Sequence, residues 1–155
     1  MMSNTQSFEI KQLTNDNLPT FTALIDLFNK VFEAENPSMA SKANSLKLLN
    51  NKHFIAIVTL AENEVVGGLT AYELPMYSSD RSEIFLYDLA VKPEYQRQGI
   101  GKGLIQSLKE YCAKHGIKEF FVMAHEEDEH AIEFYHATGG NAEKVINFLY
   151  KANEE

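Results

Sequence analysis

The run from Tyr87 to Lys102, YDLAVKPEYQRQGIGK, gathers the groups in this chain with most capacity for chemistry. It reads as a strand, a tight loop and the start of a helix. Gly99 and Gly101 let backbone approach a ligand closely, and the first N–H groups of a helix have no partners inside it. Such N–H groups point at anions, so a pyrophosphate placed there gains hydrogen bonds and the field of the helix dipole. Arg97 and Lys102 add positive charge to the same loop. Close helix packing is the other use two such glycines could have. Neither GxxxxGKS/T nor GxGxxG followed by a distant acidic residue is present, which sets aside the common nucleotide-binding loops.

Carboxylates and phenols flank that loop. Uninterrupted alternation along Glu83 to Val91 puts Glu83, Phe85 and Tyr87 on one face and Asp88 on the other. A bulge would change that partition and bring Asp88 round beside Tyr87. Asp88 serves either as a base or as a buried carboxylate bonded to backbone, and Glu83 serves as a base or as a partner of Arg81. Tyr135 sits on an amphipathic pattern as a proton donor or a packing aromatic. The run Glu126, Glu127, Asp128 and Glu129 is an acidic patch for ammonium groups or a solvated helix start. Cys112 lies on an apolar stripe and reads as a core residue.

The elements that must position these groups follow from periodicity. Phe8 to Leu13 reads as a first strand, and Leu18, Phe21, Ile25, Phe28 and Phe32 recur at helical spacing. A less regular helix ends near Asn50-Asn51. Three extended segments, His53–Leu60, Val65–Leu74 and Glu83–Val91, should pair as an antiparallel meander turned at Ala61–Glu64. A helix from Gly99 to Gly116 then leads to a short buried strand, Glu119–Ala124, parallel to the one before it. A helix over Asp128–Thr138 and a last strand over Ala142–Tyr150 complete the chain. The expectation is one mixed α/β domain over residues 1–155.

Composition narrows the partners. A formal charge of −8 disfavours a nucleic-acid backbone and favours a cationic small molecule. No apolar run reaches the roughly 20 residues of a membrane span, so the chain reads as soluble and cytoplasmic, with no membrane partner. One cysteine and five scattered histidines give neither a disulfide framework nor a metal site.

Leu89-Ala90-Val91 followed by Gln96-Arg97-Gln98-Gly99-Ile100-Gly101 closely resembles the acetyl-CoA signature of the GNAT superfamily of N-acetyltransferases. Ala131-Ile132-Glu133-Phe134-Tyr135 with Gly139 resembles that family's helix bearing a tyrosine near the cofactor sulfur. The resemblance implies the GNAT acyltransferase fold: a mixed, mostly antiparallel sheet with splayed central parallel strands and flanking helices. It implies acetyl-CoA as acetyl donor, with Leu89, Ala90 and Val91 along the pantetheine arm. Arg97, Gln98, Gly99, Ile100, Gly101 and Lys102 would then hold the pyrophosphate. Tyr135 becomes the acid for the departing thiolate, a transfer only modestly uphill from a phenol near pKa about 10 to a thiol near about 8.5. An alkylamine of pKa about 10 must lose a proton before it attacks at pH 7, and Asp88, Glu83 or a water is left for that task. Phe85 and Tyr87 stand where some relatives place a glutamate base, and Tyr87 is expected to line the substrate site. Family members often carry a bulge in this strand.

Within the superfamily the chain is most similar to the aminoglycoside 3-N-acetyltransferase type I group. Phe54-Ile55-Ala56, Val65-Val66-Gly67, Ala71-Tyr72-Glu73-Leu74-Pro75 and Arg81-Ser82-Glu83-Ile84 carry that likeness, together with Tyr87 to Val91 and Arg97 to Ile100. The resemblance implies acetylation of the 3-amino group of a polycationic antibiotic, hence antibiotic resistance, with Glu126, Glu127 and Asp128 holding substrate ammonium groups, and it is compatible with a homodimer. His125, the Glu-Glu-Asp-Glu run and Gly139-Gly140-Asn141 depart from the group's pattern. A polyamine or protein-amine acetyltransferase and a non-catalytic acetyl-CoA-binding module are the competing expectations.

Overall fold

The computed structural model describes residues 6–153. Its elements run β1 (Phe8–Gln12), α1 (Leu18–Val31), α2 (Lys42–Leu49), β2 (Phe54–Ala61), β3 (Glu64–Pro75), β4 (Ser82–Val91), α3 (Ile100–Lys114), β5 (Phe120–Val122) and α4 (Glu129–Ala137). The five strands form one sheet in the order β1-β2-β3-β4-β5. The first four are antiparallel, and β5 joins β4 in parallel after the α3 crossover. This is the mixed sheet expected from the GNAT resemblance.

Local chemistry explains the boundaries. Thr14 and Asn17 form a capping box ahead of α1, whose first turn accommodates Pro19 because the N–H that proline lacks would have no partner inside the helix there. Ser41 caps α2 by accepting from the Asn44 N–H at 3.1 Å. The β2–β3 hairpin closes in two residues, Glu62 and Asn63, both at positive φ, the geometry that matches the twist of paired strands.

The sheet buries both faces up to Met123. On one, Phe21, Leu24 and Phe28 of α1 pack with Phe54, Ala56, Val58 and Ala90. On the other, α3 lays buried Ile100, Leu104 and Leu108 toward buried Ile57, Leu69 and Leu86. Gly68 marks the tightest approach to α1: a Cβ there would collide with Leu24 and lie 2.9 Å from the Ile57 carbonyl. Cys112 is buried on the α3 stripe, as its spacing predicts.

Two predicted strands differ from the structure. The segment expected over Glu119–Ala124 pairs only at Phe120–Val122, and Phe121 is exposed rather than buried. No strand forms over Ala142–Tyr150. Val145-Ile146 and Phe148-Leu149-Tyr150 place apolar side chains on successive positions, so a strand there needs cover on both faces, and all five are exposed. The chain separates into two compact units, one ending at Met123 and one beginning at Ala124. No helix among the described residues is long and apolar enough to cross a membrane.

Candidate active site

The strand β4 is bulged where the chemistry is expected. Its register against β3 runs Phe85↔Tyr72 and Leu86↔Ala71, then resumes at Asp88↔Thr70, leaving Tyr87 as the extra residue. The bulge reverses the facing of everything after it. Leu89 pairs with Leu69 on the α3 face, and Asp88 and Ala90 turn to the α1 face beside Thr70 and Gly68. Asp88 therefore shares a face with Phe85, in place of the opposite face that simple alternation assigns. Tyr87 accompanies them: its ring lies 5.6 Å from Phe85 and 5.7 Å from Tyr72, and it is 58% exposed.

These neighbours set the electrostatics. Burial raises the Asp88 carboxyl above the usual carboxylate range, because a half-covered carboxylate loses part of its hydration. Burial also raises the Tyr72 phenol, reinforced by Tyr87 and by Asp88. A carboxyl with a raised pKa is a better proton acceptor at neutral pH than an ordinary one. Glu83 pairs with Leu74 toward the other end of the strand, about 13 Å of strand rise from Asp88 once the bulge is allowed for. Among the described residues no ion pair joins Glu83 to Arg81. The structure thus separates the two candidate bases.

Past Leu86, β4 has no strand paired on its β5 side among the described residues, because the parallel pairing stops at Leu86↔Val122. The strand edge from Tyr87 to Val91 is left open, and the Gln96 side chain donates to the Val91 carbonyl at 3.1 Å. Ala90 is buried in the α1-side core, and Val91 lies near Gly67 on the α3 side, so backbone is what the open edge offers.

The loop that follows supplies the helix start. A short turn, Pro93–Tyr95, is followed by Arg97 at φ 62° and Gly99 at φ 82°. Gly99 caps α3 without any side-chain hydrogen bond, and nothing lies within 4 Å of the place its Cβ would occupy. Glycine is required there by the backbone angle, and the space beside it is open to a ligand. Gln98 folds back to the Glu94 carbonyl at 3.4 Å. Ile100 is buried, so only its N–H is available to an anion; Arg97 and Lys102 are exposed, and Gly101 is half-buried. A helix N-terminus with no side-chain cap, two cations and an open strand edge fits a pyrophosphate joined to a thin amide-bearing arm.

In the unit beginning at Ala124, Asp128 caps α4, its carboxylate accepting from the Ala131 N–H at 3.1 Å. Its structural task is therefore visible, and Glu126 and Glu127 are exposed in the preceding turn. Tyr135 is half-buried on α4 with its ring 5.1 Å from Phe134. Its carbonyl accepts from the Gly140 N–H at 2.8 Å, which ends the helix. No group of three or more potential metal ligands is present among the described residues.

The fold and its bulged strand beside a helix that starts at a glycine are those of an acyltransferase domain. The chain belongs to the acetyltransferase (GNAT) family, whose model matches residues 14–139. Acetyl-CoA is the acetyl donor of that family. The chain is 40% identical to an aminoglycoside acetyltransferase, meta-AAC0020, from an uncultured soil metagenomic sample, crystallised in complex with sisomicin. That likeness covers 94% of this chain and 97% of the other, with a TM-score of 0.92. A second aminoglycoside acetyltransferase from an uncultured soil metagenomic sample, HMB0005, is 37% identical over 95% of this chain and 99% of its own, with a TM-score of 0.89. The ribosomal protein bS18-alanine N-acetyltransferase of Escherichia coli (strain K12) is 27% identical over 88 residues. That match covers 57% of this chain and 58% of the relative's length.

The register shift adds one residue that the sequence did not single out for the site. Tyr72 meets Phe54 and Tyr87 only because β2, β3 and the bulged β4 align them. Its membership of an alternating strand is legible in sequence, but its neighbours are not.

Proposed function

We propose that this chain is one catalytic domain that acetylates an amino group of a polycationic aminoglycoside, with the 3-amino group as the acceptor. The observation that carries the reading is the bulge at Tyr87, which sets a carboxylate of raised pKa among aromatic rings on a strand whose next edge is open. The family match extends from residue 14 to 139 and so runs through both compact units, which supports a single working domain. The two aminoglycoside acetyltransferases that resemble the chain over nearly its whole length support the substrate class.

Acetyl-CoA supplies an acetyl group already activated as a thioester. Backbone along Leu89, Ala90 and Val91 binds its arm, while the backbone of Gln98 and the N–H groups from Gly99 to Lys102, with the side chains of Arg97 and Lys102, hold its phosphates. Asp88 takes one proton from the bound ammonium and leaves the neutral amine that attacks, the second N–H proton passes to water as the amide forms, and Tyr87 lines the amine's approach. Tyr135 donates its phenolic proton to the sulfur as the C–S bond breaks, a role resting on the resemblance of its helix. The net charge of −8, with Glu126 and Glu127 exposed, raises the local concentration of a polycation. Glu83 is left to the far end of the strand and has no part in the proton transfer.

The initial rate of CoA release from acetyl-CoA with gentamicin, against a blank without acceptor, tests the reading. Mass and NMR analysis of the product identifies the modified nitrogen. Release that does not depend on gentamicin overturns the aminoglycoside assignment. The partial likeness to the ribosomal-protein enzyme favours one second reading, a protein N-terminal amine as acceptor, which predicts a better kcat/KM with a peptide than with any aminoglycoside.

A further inference from the structure

The face that carries Asp88 also holds a phenol to which the proposed reaction gives no task, that of Tyr72. Tyr72 lies on β3 opposite Phe85, and the next inward pair on that face is Thr70 with Asp88. Its ring is packed between Phe54, at 5.3 Å, and the edge of Tyr87, at 5.7 Å. Contacts on both sides restrict where the phenol can point. Among the described residues neither the Tyr72 hydroxyl nor the Asp88 carboxylate makes a hydrogen bond. Both groups are half-buried on neighbouring register positions, so a polar ligand that enters this face can take up hydrogen bonds that they otherwise make with water.

The chemistry of the pair defines that ligand. Asp88 offers a carboxylate, and Tyr72 offers a hydroxyl oxygen that stays neutral, since burial and its two acidic neighbours raise its pKa. A primary ammonium has three N–H donors and suits two acceptors on neighbouring positions of one sheet face. The exposed ring of Tyr87 adds an electron-rich surface beside the cation. We propose that Tyr72 is a substrate-binding residue that fixes the reacting nitrogen, its hydroxyl oxygen accepting one N–H of a primary ammonium while the Asp88 carboxylate accepts another. Because the hydroxyl is neutral, it orients the nitrogen without competing for the proton, which passes to Asp88. The site then selects primary amines over N-methylated ones, which carry fewer donors. This rests on the reading that the Asp88 face receives the amine.

The test is Tyr72→Phe, which keeps the ring and its contacts with Phe54 and Tyr87 and removes one oxygen. The expected result is a rise in KM for gentamicin of about tenfold or more, the usual scale for one hydrogen bond to a charged group. The KM for acetyl-CoA, the melting temperature and kcat should stay near wild type. Calorimetric titration of gentamicin into the CoA-bound protein should show the same loss of affinity without turnover. A gentamicin affinity within twofold of wild type overturns the proposal, as does an equal rise in the KM for acetyl-CoA or a lowered melting temperature, either of which makes Tyr72 a packing residue. Wild-type protein that turns over gentamicin while Tyr72→Phe behaves identically removes Tyr72 alone. Wild-type protein that neither binds nor acetylates gentamicin or spermidine removes the amine-site reading and this proposal with it.

Discussion

The strand β4 and the segment 142–150 have similar apolar content and opposite fates. Ser82–Val91 pairs with β3 along its whole length and with β5 over its first half, and it buries Ile84, Leu86 and Ala90. Val145, Ile146, Phe148, Leu149 and Tyr150 lie in a segment with no ladder and remain exposed. Apolar residues on successive positions are stabilised only by cover on both sides of a sheet, and β4 has that cover from α1 and α3. The one place where β4 gives up regular pairing, the bulge at Tyr87, is where Tyr87 and Asp88 come onto the Phe85 face. Irregularity inside a well-buried strand is rigid enough to aim a side chain, which an unpaired segment cannot do.

Substitutions can sharpen that contrast. The largest effect should come from Asp88→Asn, expected to lower kcat/KM by about 10²- to 10⁴-fold, the usual contribution of a general base. The wild-type rate should rise with pH through a pKa above the ordinary carboxylate range, and the variant should lose that rise. The stability effect has the opposite sign. A carboxyl whose folded pKa lies above its unfolded value contributes stability below the unfolded pKa, and that contribution is lost as pH rises through the folded one. Asp88→Asn should therefore melt higher than wild type at neutral pH, and a lower melting temperature there would show that the carboxylate has a stabilising partner.

Leu24→Ala comes next, since Leu24 is fully buried against Gly68. Denaturant titration should show a loss of about 2–5 kcal/mol. Gly99→Ala places a Cβ at φ 82°, which costs about 1–2 kcal/mol of backbone strain but meets no neighbour. Its expected signature is a raised KM for acetyl-CoA with the KM for gentamicin unchanged. Ile146→Ser, in the unpaired segment, should change stability by less than about 0.5 kcal/mol. A loss as large as that of Leu24→Ala would show that the segment is covered in solution and would break the comparison.

The loop from Gln96 to Lys102 was the most legible part of the candidate site. Its helix start, its two glycines and its cations are local features, and local features survive in a linear pattern. The meander, the crossover helix and the Cys112 stripe were legible for the same reason, since period 2 and period 3.6 identify buried faces. Asp88 could be suspected but not placed, because one extra residue in a strand exchanges its two faces and leaves no mark in composition. Ile100 and Ala90 were assigned to the cofactor from their position in a motif, and the structure leaves only their backbone for that task.

By itself the sequence determined the family, the order of elements up to α4 and the glycine-bearing loop at the start of α3, all of which depend on short-range pattern. Tertiary structure alone decided which face receives Asp88, that Tyr72 and Tyr87 stand with it, and that Ala142–Tyr150 forms no strand. Each of those outcomes is a matter of register and partner. Pairing energy belongs to two segments at once, and neither segment's residues contain it alone.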